Sequence, residues 1–393
     1  MGGSERGSDP ASTSGRRTGC LGVSLDGAVS AACGTEASHH KVPGHRWASD
    51  TITPLASTSK ALATIAVLTL VQGRKIDLDQ PVAQYWPRFG DQGKAEVTVG
   101  LVLSHRSGLV ALDQPITNDD AAALDPVLRR IEQQRLWWRP GSRHGYHAMT
   151  YGFILSGLVR AVTGLTVGRY FAEQVATPLK LDLHLGLAPD QHHRVAPMIG
   201  PTGRAAYRAL LHPMWLPYAL QLVNRRSAAY RATFGGTSAG FDDTAELTRY
   251  EVEDASAGGL GNGSALARML ASVIGSVDGR RLIEPELMNT VRVPQASGRD
   301  EVLRVRTDWG LGFALPGGPM WPDVGIPGLF GHTGASGSLA FADPEHQLTF
   351  GYTPNLWSEL SPGRGRSRFR FSGYVEAVYE AAGIRRWPTR SGR

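Results

Sequence analysis

Apolar positions change their period along the chain, and the changes divide it into three stretches. Near the start, Cys20-Leu-Gly-Val-Ser-Leu25 and Ala28-Val-Ser-Ala-Ala-Cys33 flank Asp26-Gly27. Asp-Gly tolerates the positive φ that a two-residue hairpin turn demands, so this stretch predicts an opening β-hairpin with Cys20 opposite Cys33. After a loop, residues 57–72 carry apolar side chains at 61, 62, 65, 66, 68 and 71 and stop at Gly73. That is the spacing and the stop signal of a buried helix. Helical patterns recur over 121–134, 151–163 and 167–175, separated by proline- and glycine-rich punctuation, and residues 76 to about 250 read as a mostly helical insert. Strand patterns return over 307–315, 337–342 and 348–353, the last two joined by Asp343-Pro-Glu-His, and 374–382 reads as a closing helix. Strands at both ends with helices between them predict an α+β or α/β fold whose sheet is assembled from the two termini. The expected division is a sheet part over 19–85 and 255–393, a helical part over 86–254, and a polar, disordered leader over 1–18.

Composition narrows the class. At 393 residues with 41% hydrophobic and 19% charged residues, the chain can bury a sizeable core and has neither a disordered nor a fibrous composition. The apolar run 61–71 is far shorter than the roughly 20 residues that cross a bilayer, so no membrane span is expected. The first 19 residues are small and polar, without the apolar stretch of a secretion signal, and the expected location is the cytoplasm. The net charge of +6 suggests a nucleic-acid partner until the lysines are counted. There are five, at 41, 60, 75, 94 and 180; the rest of the basic residues are arginines scattered among 35 acids. We read this as a preference for arginine, not a binding surface, and the concentrated Arg364, Arg366, Arg368 and Arg370 as a solvated loop.

So few lysines make serine–lysine spacings informative. Two Ser-x-x-Lys matches occur, Ser38-His-His-Lys41 and Ser57-Thr-Ser-Lys60. The first runs into Val42-Pro-Gly, where no helix continues; the second opens the apolar helix. Residues three apart share a helix face, so Lys60 sits one turn from Ser57. Ser57 also lies at the positive end of the helix dipole, which stabilises an alkoxide. A buried lysine of lowered pKa can take the serine proton, and the serine then becomes a nucleophile without a histidine.

Two further segments follow in order: Tyr146-His147-Ala148 after Pro140-Gly141-Ser-Arg-His-Gly, and His332-Thr333-Gly334-Ala335-Ser336-Gly337, expected to open a late strand. With Leu103-Ser-His-Arg-Ser-Gly-Leu109, Pro178-Leu179 and Gly258-Gly259-Leu260, the chain resembles the serine β-lactamase and penicillin-binding-protein-like family over about residues 19 to 383. The likeness is strongest to the class C-like esterase branch. The resemblance implies a β-lactamase-like fold, an antiparallel sheet flanked by helices beside a helical subdomain, with the site in the cleft between them. It implies Ser57 as nucleophile, Lys60 and Tyr146 as its acid–base partners, and the N–H groups of Ser57 and Ala335 as an oxyanion hole, with Ala335 on a strand edge. Substrate would meet His332, Thr333 and Gly334. Two departures bear on the substrate. Ala148 stands where lactamases commonly carry an asparagine, and His332, expected as a weak pH-dependent cation, stands for the lysine that receives a substrate carboxylate. Both argue against a dedicated penicillin- or peptidoglycan-cleaving enzyme.

The expected reaction is acyl transfer through acyl-Ser57 with no cofactor or metal. The substrate is a small ester or amide, and the acceptor is water or, in the alternative, an amine or alcohol. Oligomeric state is not determined. His147 is a candidate pocket residue, and Trp137 and Trp138 are either core or pocket wall. The segment 210–223, broken by Pro213 and Pro217 and containing Met214, Trp215 and Tyr218, is either core or a lid over an apolar acyl site within a longer insert at about 188–254. Gly236-Thr-Ser238-Ala-Gly240 fits a nucleophile elbow, but Arg225-Arg-Ser-Ala-Ala-Tyr-Arg is a poor strand to precede one. The histidine pairs 39/40, 144/147 and 192/193 lack carboxylate or cysteine partners at ligand spacing, and no metal site is expected.

Overall fold

The computed structural model describes residues 19–25, 27–33, 47–196, 198, 213, 215–234, 250–318, 321, 326, 328–355 and 372–384. The leader, Ser38 to Lys41, Met214, Ser238 and the arginines at 364–370 lie outside the described residues. Asp26-Gly27 does join two strands, β1 (Gly19–Leu25) and β2 (Ala28–Cys33), and Cys20 faces Cys33. At the other end of the chain run β9 (Phe330–Thr333), β10 (Leu339–Asp343) and β11 (Leu348–Pro354). β1 lies antiparallel to β11, from Gly19 opposite Pro354 to Leu25 opposite Leu348, so the two ends of the chain meet mid-sheet. With β6 (Ala296–Arg299), β7 (Arg306–Trp309) and β8 (Ala314–Leu315) the sheet has eight antiparallel strands in the order β2-β1-β11-β10-β9-β8-β7-β6.

Period-two alternation dresses the two faces of this sheet differently. Leu339 and Phe341 of β10 and Leu348, Phe350 and Tyr352 of β11 point to one face, against Val375 and Tyr379 of the closing helix (Ser372–Ala381). Ala340 and Ala342 point to the other face, into the main core. There the helix Gly263–Ile274 lies against β1 and β11, and Thr349 Oγ1 donates to Ala267 O at 2.7 Å. Contact is close enough that a Cβ on Gly351 would collide with the Gly263 carbonyl.

The buried helix is α1 (Ser59–Gln72), preceded by a single 3-10 turn over Ala56–Thr58. It packs against Thr150–Thr163 and Val167–Phe171, and the largest apolar core runs through all three. The pattern over 121–134 does not make one helix. It makes Asn118–Ala123 and Asp125–Gln133, broken at Leu124 (φ 60°), because Pro126 starts a new first turn more readily than it continues an old one. The pattern over 307–315 is likewise two strands, β7 and β8, separated by a turn in which Gly310 N–H donates to Phe313 O. A second, three-stranded sheet escaped the pattern analysis: β3 (Thr53–Pro54), β5 (Gly259–Gly261) and β4 (Leu183–Leu185), in that spatial order, are too short to show periodicity. Since β4 falls within 86–254 and β5 beyond it, this sheet ties the expected helical part to the sheet part. Among the described residues no single helix is long and apolar enough to cross a membrane.

Candidate active site

Ser57 sits in the 3-10 turn before α1, immediately after Ala56, which holds a φ of 46°. A left-handed alanine is strained, and strain of this kind persists only where its surroundings over-determine it. Here they do. Leu55 N–H donates to Gly259 O, Gly259 N–H donates to Ser59 Oγ at 2.9 Å, and Ser59 Oγ donates to Ala56 O at 2.5 Å, so β5 grips the turn from one side. On the other side Ser338 Oγ donates to Leu55 O at 2.7 Å and accepts from Thr58 Oγ1 at 2.8 Å. These bonds tie the serine turn to the segment that follows β9.

Lys60 points into the protein and is fully buried. Its Nζ donates to Ala148 O at 2.8 Å and Ser256 O at 2.9 Å and lies 4.8 Å from the centroid of the Tyr146 ring. Burial pulls its pKa down from 10.5 to about 7, against an opposing pull from the Asp254 carboxylate. The other buried lysine is instructive by contrast. Lys94 Nζ donates to three carbonyls, Asp91 O, Glu132 O and Gln134 O, one for each hydrogen of an ammonium group. Among the described residues Lys60 has two carbonyl acceptors. A neutral amine has two hydrogens and a lone pair, so at Lys60 the carbonyls hold both hydrogens and leave the pair available.

Tyr146 stands among rings: Trp309 stacks on it (5.6 Å, 13°), His105 lies at 5.1 Å and His332 at 6.2 Å. The backbone leading through it is clamped amide by amide. Gly145 N–H donates to His105 O, Tyr146 N–H to Asp300 Oδ1 at 3.1 Å, and His147 N–H to His105 Nδ1 at 3.2 Å. His147 is correspondingly not a pocket residue. It is fully buried, its Nδ1–H donates to Gly145 O at 2.7 Å and its Nε2 accepts from Ser107 Oγ at 2.6 Å, so neither nitrogen is left for a ligand.

His332 does not open a strand; with Thr333 it closes β9. The segment then turns, Gly334 N–H donating to Ser338 O and Gly337 N–H to Gly334 O, and places Ala335 within a tight turn, not on a strand edge as expected. Among the described residues no acceptor takes the N–H of Ser57 or of Ala335. Gly334 is required: a Cβ there would meet Ser338 Oγ and Leu55 O. His332 also departs from expectation in charge. Burial, then the nearby Lys60, pull its pKa to about 3, so it is neutral and not a cation. Its Nδ1–H donates to Thr333 O at 2.7 Å, and its Nε2 is buried without a partner among the described residues. Burial also lowers His147 to about 4 and takes His105 well below its ordinary value, which leaves Lys60 among neutral imidazoles.

Trp137, Trp138 and Trp215 join Tyr146 and Trp309 in one apolar cluster. Trp215 leads into the helix Leu216–Val223, which pairs with Ala228–Phe234 through Tyr218 OH and Thr233 Oγ1, 2.7 Å apart. Leu222, Ala229 and Ala232 face the cluster, and Arg231 pairs with Asp113. This helix pair of the insert therefore packs against the rings around Tyr146, whereas Val195 and Tyr250, also in the insert, pack against Ile52, Leu187 and Leu260. Among the described residues no cluster of His, Cys, Asp or Glu gathers to hold a metal. Asp300, Ser256, Asp254 and Trp309 were not among the residues expected at the site. His105 was visible only as part of Leu103–Leu109, and Asp300 has no local signal, because its importance lies in a contact 154 residues away.

A serine at a helix start, a buried lysine one turn on, and a tyrosine loop and a turn after β9 converging on them define a serine hydrolase of β-lactamase fold. The chain belongs to the Beta-lactamase family, whose model matches residues 12–374. It is 34% identical to the esterase/beta-lactamase LipL of Mycobacterium tuberculosis over 346 residues, 86% of this chain and 76% of LipL. The structure of EstA from Arthrobacter nitroguajacolicus Rue61a superposes with a TM-score of 0.78 at 27% identity, covering 93% of this chain and 92% of EstA. A family VIII carboxylesterase superposes with 0.77, also at 27% identity and with 92% of each chain covered.

Proposed function

We propose that the protein is a carboxylesterase acting on a small, neutral cytoplasmic ester through an acyl-Ser57 intermediate. The observation that carries this reading is Lys60: buried, with a pKa near 7 and with two carbonyls for the two hydrogens of its neutral form. In the proposed cycle the lone pair of Lys60 takes the Ser57 proton, Tyr146 helps to pass it to the leaving alcohol, and the carbonyl oxygen becomes an oxyanion between the N–H groups of Ser57 and Ala335. The same lysine and tyrosine then activate water to release the acid. A neutral His332 offers no counter-charge to a carboxylate, and Ala148 offers no side-chain amide, so the reading favours plain esters over penicillins. Trp137, Trp138, Trp215, Thr333 and Gly334 would border the acyl group. A second reading has support in the insert. An apolar helix pair over the site would keep water from the acyl-serine and leave it to an amine or alcohol.

One experiment tests both. Incubated with a p-nitrophenyl ester or a fluorophosphonate, the protein is expected to gain one acyl or phosphonyl mass, and Ser57→Ala to gain none. Labelling retained in Ser57→Ala rejects the mechanism. With an amine or alcohol acceptor added, free acid as product supports the esterase, whereas dominant amide or ester at low acceptor concentration supports the transacylase.

A further inference from the structure

Asp300 opens the loop between β6 and β7, at the edge of the eight-stranded sheet, and is fully buried. Its Oδ1 accepts from three backbone N–H groups. Two are local, Val302 and Leu303, both at 2.8 Å, and cap the loop; the third is Tyr146 at 3.1 Å. The loops touch a second time where Glu301 N–H donates to His144 O. Oδ2 accepts from Thr307 Oγ1 at 3.3 Å. With its hydrogen so used, Thr307 Oγ1 has two lone pairs, which take Trp309 Nε1–H at 3.0 Å and His144 Nε2 at 3.0 Å. The Trp309 indole then stacks on the Tyr146 ring. The circuit closes: one carboxylate oxygen holds the tyrosine's backbone, and the other, through Thr307 and Trp309, holds the face of its ring.

We propose that Asp300 is a positioning residue for the acyl-transfer reaction, holding Tyr146 against Lys60 from both its backbone and its ring. A loop cap alone would not need this arrangement, since a serine hydroxyl caps such a turn without a third amide or a second oxygen. The inference rests on the acyl-serine reading above, in which Tyr146 carries protons, and it adds the element that sets the tyrosine's place. A shift of about 1 Å in a catalytic group costs on the order of a hundredfold in rate.

The test is a double-mutant cycle on p-nitrophenyl acetate hydrolysis, with Asp300→Ser, Asp300→Asn and Tyr146→Phe, each also checked for thermal unfolding. Serine can keep the local cap but is too short to reach Tyr146 as well. Asp300→Ser is expected to lower kcat about a hundredfold with KM little changed. Asp300→Asn, which keeps an acceptor oxygen for all three amides but puts an NH2 where Oδ2 accepts from Thr307, should recover the part of the loss that belongs to the backbone clamp. In the Tyr146→Phe background Asp300→Ser should cost less than about threefold more, because residues that act as one unit are not additive. Asp300→Ser within threefold of wild type, or a loss that multiplies with that of Tyr146→Phe, overturns the inference. If the serine variant does not fold, Thr307→Val replaces it in the same cycle under the same criteria. Failure of the underlying reading shows separately, as retained labelling of Ser57→Ala or near wild-type turnover of Tyr146→Phe.

Discussion

In the proposed cycle a neutral Lys60 is the working form of the base, so its protonation sets the expected pH dependence. The lysine is an ammonium below about 7 and an amine above it. With p-nitrophenyl acetate, kcat/KM should rise with pH through about 7 and level off above. The Asp254 carboxylate holds that pKa up, so Asp254→Asn should move the rise to lower pH. A pH profile unmoved by that substitution would contradict the electrostatic link between the two. The same scale explains His332. An imidazole begins at 6.5, and burial beside Lys60 takes its proton. The sequence names the residue; its charge belongs to the site.

Among elements, the turn between β9 and β10 matters most, because it is tied to the serine turn and carries the Ala335 amide to which the proposed cycle assigns the oxyanion. β8 pairs with β9 at a single position, Ala314 opposite Gly331, and the Phe330–Thr333 strand runs on past it toward the site. Beyond its end, Thr58, Ser338 and Leu55 lock the turn to the start of α1. Gly334→Ala should force these groups apart and displace the Ala335 amide. Losing one oxyanion donor typically costs a factor of about 100 to 1,000, so kcat should fall by about that much, and the overpacked turn should lower the unfolding temperature as well. Unchanged turnover in Gly334→Ala would place the oxyanion elsewhere. The helix pair Leu216–Val223 and Ala228–Phe234 resolves the choice between core and lid only in part: its inner face packs on the cluster around Tyr146, while Leu216, Leu220 and Val223 remain exposed.

For the molecule as a whole, stability depends on closing the sheet with both chain ends. The closing helix is anchored at Asp343, a buried carboxylate whose Oδ2 accepts from Tyr379 OH at 2.9 Å and from His346 Nδ1 at 2.7 Å. Tyr379→Phe removes a hydrogen bond to a buried charge and should cost about 2 kcal/mol in denaturant unfolding, with kcat unchanged. A loss of activity without loss of stability would contradict this separation of latch and site. Local chemistry was legible in the sequence. The Asp26-Gly27 hairpin, α1 with the Ser57–Lys60 spacing at its start, and the alternation of β10 and β11 each rest on near-neighbour geometry: a turn's φ, a helix's 3.6-residue period, a strand's period of two; the Tyr146 segment stood out only through its likeness to a family. What depends on partners far along the chain was not legible. The pairing of β3, β5 and β4, the neutrality of His332, the removal of His147 from the pocket and the three amides held by His105 and Asp300 arise only when distant segments meet. Burial, charge and hydrogen-bond satisfaction are properties of an assembled environment, and the tertiary structure alone decides them.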